Sequence, residues 1–234
     1  MRRNVSDMLV RCVGVTRVYQ VGARRVEALR GVDMAVPPGV FLAVTGRSGS
    51  GKTTLLNLIG GLDRPTTGTV YLDEKPLGAL SEQGLTQLRR RQIGFVFQSF
   101  ALLPTLSTFD NVALPLRIAR TAGGERDARV WRCLELVGLE EWAEHKPYEL
   151  SGGQQQRVAI ARALVHDPRL ILADEPTGEL DSETARRIFG LLRRLVAESG
   201  VTVVVASHDP LVNEYATLVV ALRDGQSLDD RKRT

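Results

Sequence analysis

The stretch Gly46-Arg47-Ser48-Gly49-Ser50-Gly51-Lys52-Thr53-Thr54 matches the pattern G-x-x-x-x-G-K-[ST], a loop built to hold phosphates. Each residue type has a task there. Glycines let the backbone wrap tightly, so that several N–H groups point at phosphate oxygens. A helix starting at the loop adds the positive end of its dipole, equivalent to roughly half a charge. Lys52 would reach the β and γ phosphates, and the Thr53 hydroxyl would ligate Mg²⁺. Gly46, Ser48, Gly49, Ser50, Gly51, Lys52, Thr53 and Thr54 are therefore candidate nucleotide-binding residues. The bland alternative is a Gly/Ser-rich loop that ends in Lys by chance.

Other polar side chains stand directly after short apolar runs: Gln98, Asp174 with Glu175, and His208. In a sheet whose strands run the same way, such positions gather at one edge. Asp174 would hold Mg²⁺ through its water shell, and Glu175 would polarise an attacking water. His208 would hydrogen-bond the γ phosphate. Alone, a strand-end acid is often a helix cap and a lone His an ordinary core or surface residue. Following a phosphate loop, the set reads as one site. Further on, Leu150-Ser151-Gly152-Gly153-Gln154 opens a helix with a Ser cap and two glycines. It forms a second anion-binding helix start that nothing obliges to face the first. Tyr19 is a candidate platform for an adenine ring, although an aromatic near a strand end is more often packing.

Positioning these residues requires alternating strands and helices. Residues 40–44 read as the buried strand entering the loop, and Leu55, Leu56, Leu58 and Ile59 fall at helical spacing before Gly60-Gly61. Residues 8–18 alternate as an antiparallel strand does, with a hairpin-like segment over 20–25 and a short strand set through Val36. Strands are predicted over 69–72, 93–97, 170–173, 201–206 and 219–222, and helices over 81–91, 154–165 and along Ala185, Ile188, Phe189, Leu192, Leu195 and Val196. Residues 99–148 read as helices punctuated by Pro104, Pro115, Gly123-Gly124 and Pro147. The pattern predicts a mainly parallel sheet covered by helices, with ligands at the carboxyl ends of the strands.

Composition agrees with a globular chain. Of 234 residues 43% are hydrophobic, enough for a core, and no apolar run approaches the ~20 residues that cross a bilayer. Asp7 and Arg11 interrupt the only segment resembling a signal peptide. Cys12 and Cys133 lack metal-ligand spacing and read as free buried thiols, consistent with a reducing cytosol. A net charge of +4, from 31 basic and 27 acidic residues, is no nucleic-acid signature. The basic run Arg89-Arg90-Arg91 reads first as a solvated helix face.

Taken in order, these motifs resemble the ATP-binding cassette of ABC transporters, and the match runs from Tyr19 to His208. Tyr19 corresponds to the aromatic loop, residues 46–53 to Walker A, Gln98 to the glutamine loop and 150–154 to the signature. Asp174 ends the Walker B segment before the catalytic Glu175, Glu179-Leu180-Asp181 is the D-loop, and His208 is the switch. The resemblance implies an α/β fold. A P-loop NTPase core on a mainly parallel sheet would carry an N-terminal antiparallel β subdomain and an inserted helical subdomain. As a single domain over 1–234, it would divide into core and β subdomain (8–98 and 151–225) and helical insertion (99–150), the last including the permease-docking region. It also implies that Gln98 joins Thr53 and Asp174 at the metal and Lys52, Glu175 and His208 in catalysis. Ser151, Gly152, Gly153 and Gln154 would cover ATP bound to a second subunit, in a head-to-tail dimer holding two ATP molecules.

The segments 61–68, 102–107, 150–157 and 173–178 resemble the macrolide-exporter and lipoprotein-release ATPases, as does the pairing of Tyr19 with Val26-Glu27-Ala28-Leu29. The implied protein is a Mg²⁺-dependent ATPase on the cytosolic face of the cell membrane. It would drive transmembrane permease subunits for export, lipoprotein release or mechanotransmission, without nucleic acid. Phe100, Leu102, Leu103 and Leu106 are candidates for the permease groove, against an equal case for core packing. Position 179 departs from the family, carrying Glu where Asn or Ala is common. No residue needed for hydrolysis is missing, so both sites of a homodimer are expected to be active, with a heterodimer left open. The alternatives are an importer ATPase and a soluble non-transport ATPase. The second fits poorly because the chain has neither a coiled coil between the motifs nor a second cassette.

Overall fold

The computed structural model describes residues 7–228. Alternate burial along the first strand builds an antiparallel layer. β1 (Val10–Val21) pairs with β2 (Arg24–Val36), and β4 (Thr67–Leu72) and β5 (Lys75–Pro76) extend the sheet in the order β2-β1-β4-β5. The β1–β2 turn is tighter than the sequence pattern suggests. Val21 faces Arg24, and Gly22 takes φ 59°, the left-handed backbone that a two-residue turn needs.

The second sheet has the order β10-β9-β3-β8-β7-β6. Its strands are β3 (Phe41–Thr45), β6 (Ile93–Val96), β7 (Leu170–Asp174), β8 (Thr202–Ser207), β9 (Leu218–Arg223) and β10 (Gln226–Leu228). All neighbours are parallel except β10, which returns antiparallel beside β9. The sequence pattern marks the Asp224-Gly225 turn but not β10. Both turn residues take positive φ, 49° and 78°, the geometry of a tight hairpin. The polar tail beyond residue 228 lies outside the described residues.

Because side chains alternate along a strand, the central strands feed two cores at once. Phe41, Ala43, Ile171, Ala173, Val203 and Val205 join one core, whereas Leu42, Val44, Leu170, Leu172, Val204 and Ala206 join the other. The second core also takes Leu55 and Leu58 of α1 (Lys52–Ile59), Leu85 and Leu88 of α2 (Glu82–Gln92), and the inner face of the antiparallel sheet. The first is closed by α3 (Thr108–Ile118), α4 (Gly123–Val137), α5 (Gly152–Leu164) and α6 (Ser182–Ser199). α5 packs against α3 and α4 and also against β6, so it belongs to the helical cluster as well as to the sheet. Cys12 and Cys133 are buried and free, and burial pushes their thiols up to about 12 and about 11.

Two of the expected helix breaks lie within helices. Pro115 is inside α3, where its ring removes one backbone donor, and the helix ends at Ile118. The start of α3 is firmly held: Ser107 Oγ accepts from Asp110 N at 3.1 Å, and buried Asn111 donates to the carbonyls of Leu103, Leu106 and Ser107. Gly123-Gly124 form the first turn of α4 rather than a gap before it.

Where β6 meets α5 the backbones nearly touch, since a Cβ on Gly94 would lie 2.2 Å from the Ala163 carbonyl oxygen. Gly94→Ala is expected to lower stability by about 1–3 kcal/mol. Gly124→Ala, with nothing within 4 Å of the added methyl, should leave it unchanged or raise it by up to about 1 kcal/mol. Urea unfolding of the two variants checks the contrast.

Candidate functional site

Strand register decides where the polar residues meet. Thr45 at the end of β3 pairs with Ser207 at the end of β8, and Ala206 of β8 pairs with Asp174 at the end of β7. Three adjacent parallel strands thus stop at one level, and the next residues are Gly46, His208 and Glu175.

The phosphate loop needs glycine for both conformation and space. Gly51 has φ 102°, and a Cβ there would sit 2.5 Å from the Ala28 carbonyl oxygen; at Gly46 it would sit 2.4 Å from that of Leu222. No side chain caps α1, which leaves the amides of its first turn to a ligand. Ser50 Oγ is buried in the loop with no hydrogen-bond partner among the described residues. Lys52 is 6% exposed. Its ammonium donates to the carbonyls of Gly46 (2.9 Å) and Arg47 (3.2 Å) and lies 3.4 Å from Glu175 Oε1.

The acids and His208 interlock. Thr53 Oγ1 donates to Asp174 Oδ1 at 3.1 Å, placing two hard oxygen ligands side by side. Burial raises the Asp174 carboxyl above its usual range, against the Thr53 hydrogen bond. Glu175 Oε2 accepts from the His208 backbone N–H at 3.2 Å and lies 2.9 Å from His208 Nδ1. Glu175 has φ 46°, a left-handed backbone that costs a non-glycine residue about 1–2 kcal/mol. It is held there by bonds from Glu175 N to Ala206 O and from Gly178 N to Glu175 O.

Tyr19, Ser48, Gly49, Gly51, Lys52, Thr53, Thr54, Gln98, Glu175 and His208 all line one open cleft of about 630 Å³. Val26, Glu27 and Ala28 of β2 complete its wall. Gln98 stands opposite Gly178, where a Cβ would come within 3.1 Å of its Nε2. Oxygen ligands at Thr53 and Asp174, a cation at Lys52 and open amides around an unpartnered serine hydroxyl fit a Mg²⁺–triphosphate.

Ser151, Gly152, Gly153 and Gln154 are not among the residues lining this cleft. They open α5 in a reciprocal cap: Ser151 Oγ accepts from Gln154 N at 3.3 Å, and Gln154 Oε1 accepts from Ser151 N at 2.8 Å. A separate cavity of about 410 Å³ lies there, lined by Ser151, Gly153 and Gln154 with Thr184, Arg157 and Arg187. The two helix starts therefore line different clefts within one chain.

Several supporting residues escape the motif reading. Arg162 of α5 donates to the carbonyls of Phe100 (2.9 Å) and Ala101 (2.6 Å), both left-handed, just after Gln98. Arg17 and Asp63 hold Tyr19. No local pattern marks either group, because each joins segments at least 44 residues apart.

A family model described as ABC transporter matches residues 29–178. An uncharacterised ABC transporter ATP-binding protein of Methanocaldococcus jannaschii, MJ0796, is 47% identical over 222 residues, covering 93% of this chain and 94% of that protein. Its structure in a dimeric post-hydrolysis state with ADP and Pi superposes at TM-score 0.88 and 46% identity, over 96% of this chain and 99% of that one. The lipoprotein-releasing system ATP-binding protein LolD of Hyphomonas neptunium is 45% identical, over 93% of this chain and 95% of its own length. The macrolide export ATP-binding/permease protein MacB 1 of Aeromonas hydrophila is 44% identical over 98% of this chain, which spans 35% of that larger protein.

The reciprocal cap makes a local prediction. Ser151→Ala should cost about 1 kcal/mol in thermal or urea unfolding, whereas Ser151→Thr, which keeps the acceptor, should cost less.

Proposed function

The chain belongs to the ABC transporter family and is an ATP-binding, ATP-hydrolysing subunit, and we propose that it drives an export or lipoprotein-release permease from the cytosolic face of a membrane. Subunits of this family dimerise and work with transmembrane permeases. Among the described residues no helix is long and apolar enough to cross a membrane. The likeness to LolD and MacB supports export or release over import.

The observation that carries the catalytic reading is the meeting of Lys52, the Thr53–Asp174 pair and the Glu175–His208 pair at three in-register strand ends. Mg²⁺, when bound, neutralises phosphate charge and aligns the β and γ oxygens. In this proposal Thr53, Asp174 and Gln98 would hold it. Lys52 exchanges its loop carbonyl partners for phosphate oxygens. Glu175 orients and polarises the attacking water, its carboxylate aimed by the strained backbone. His208, tied to the same carboxylate oxygen, reaches for the γ phosphate. Backbone N–H groups of residues 46–54 bind the phosphate chain, and the Tyr19 ring stacks on adenine.

Ser151, Gly152, Gly153 and Gln154 line no part of this cleft; in this proposal they act, as the family resemblance implies, on ATP held by a second copy in a head-to-tail homodimer. The permease is proposed to dock on the helical segment 99–150, which exposes Leu103 (43%), Ile118 (52%) and Trp131 (46%). Leu102 packs into the core instead, and Phe100 and Leu106 are half-buried, which narrows the expected groove to its exposed members.

Glu175→Gln should retain ATP binding, lower kcat by roughly 10²–10⁴-fold and accumulate a dimer with ATP on size exclusion. Turnover at the wild-type rate would sink the assignment of Glu175. Co-purification of the tagged chain from membranes, with mass spectrometry of what it retains, is expected to yield a permease with a large extracytoplasmic domain. A multi-spanning permease accompanied by a solute-binding protein would overturn the export reading.

A further inference from the structure

Within the ATP site as read above, Tyr19 is held unusually closely for an aromatic at the mouth of a cleft. Its hydroxyl donates to Asp63 Oδ2 at 2.8 Å. Arg17 Nε donates to the same oxygen at 2.8 Å, and Arg17 Nη2 lies 2.8 Å from Asp63 Oδ1. Asp63 Oδ1 also accepts from Arg64 N at 2.7 Å, so both carboxylate oxygens are fully engaged. The Arg17 guanidinium then lies over the Tyr19 ring, 4.5 Å from its centroid. One ring face is thereby covered and the hydroxyl is pinned, and the residue lines the cleft.

Asp63 is itself anchored to the phosphate-binding helix. The backbone N–H groups of Leu62 and Asp63 both donate to the Asn57 carbonyl, in the last turn of α1. The start of α1 carries Lys52 and Thr53, and its last turn, through the Asn57 carbonyl, holds the segment that bears Asp63. Tyr19 belongs to β1 in the antiparallel sheet, whose strand β2 touches the phosphate loop where Ala28 meets Gly51, and the Asp63 contact adds a second tie from the far end of α1.

We propose that Arg17 and Asp63 are positioning residues that clamp Tyr19 at a set distance from the phosphate loop, fixing the base-to-phosphate spacing and so favouring ATP over ligands that lack the base. The inference rests on Tyr19 being the adenine platform. Its physical content is pre-organisation: a ring ordered beforehand loses less freedom when the base stacks. The competing reading is that the ion pair merely staples the antiparallel sheet to the core. In that case its loss disturbs the phosphate loop and affects every ligand alike.

Binding of Mg²⁺–ATP and of Mg²⁺–tripolyphosphate, which has the phosphates but no base, separates the two. Asp63→Asn, which cannot accept the full Arg17 fork, and Tyr19→Phe, which keeps the ring and drops the hydroxyl, should each raise the Kd for ATP roughly threefold to tenfold. Both should leave tripolyphosphate within about twofold of wild type. Arg17→Met should behave likewise, with KM raised and kcat kept. In a Tyr19→Ala background, Asp63→Asn should have no further effect on ATP. Equal weakening of both ligands, no weakening of ATP, or a persistent Asp63→Asn effect without Tyr19 would each overturn the clamp. Wild-type ATP affinity in Tyr19→Ala itself would overturn the platform assignment, and the clamp with it.

Discussion

Three parallel strands ending side by side create the condition on which the site depends. Thr45, Ser207 and Asp174 lie at matching or adjacent registers, so the chain segments that follow leave the sheet at one edge. A one-residue slip in a parallel pair would turn every side chain to the opposite face. That slip is resisted because each strand is buried on both sides: Ala43 and Val205 belong to one core, Val44 and Ala206 to the other. Hydrophobic packing thus sets where Gly46, Glu175 and His208 begin, to within a residue.

Charge and strain are concentrated at that edge. Lys52 is almost fully buried and compensated by two loop carbonyls and Glu175, each of which a phosphate oxygen can replace or rearrange. Glu175 occupies left-handed backbone although it is not glycine, and its N–H bond to the Ala206 carbonyl with those it accepts from Gly178 and His208 keep it there. Such strain survives only where its surroundings over-determine it, and here those surroundings are the strand end and the His208 backbone. Burial pushes the Asp174 carboxyl above its usual range, with the Thr53 hydrogen bond acting against it.

Around the edge, arginines tie separate layers to the site. Arg162 reaches from α5 to the left-handed pair Phe100-Ala101, joining the helix that starts at Ser151 to the loop that follows Gln98. A Cβ on Gly152 would lie 3.2 Å from Leu180 and 3.7 Å from Phe100, so the second helix start, the loop after Gln98 and the segment before α6 touch one another. Arg17 does the same for the antiparallel sheet through Asp63. Among the described residues Glu179 is exposed and makes no hydrogen bond or ion pair, so its side chain faces solvent in the single chain.

Much of this was legible without coordinates, because the relevant physics is local. A glycine loop between an apolar strand and an amphipathic helix requires no distant partner to be read, and neither does Ser151 before two glycines. Ladder strands buried on both faces appear as continuous apolar runs, so 40–44 and 170–173 stood out. Local rules misled where a tertiary contact outweighed them: Pro115 stays inside a helix whose start is pinned by buried Asn111, and β10 forms because β9 offers an edge to pair with. The order of strands, the Arg162 and Arg17 ties and the left-handed Glu175 belong to the tertiary structure alone. Contacts between distant segments depend on how the layers stack, and stacking is decided by the sum of many weak burials that no short window of sequence contains.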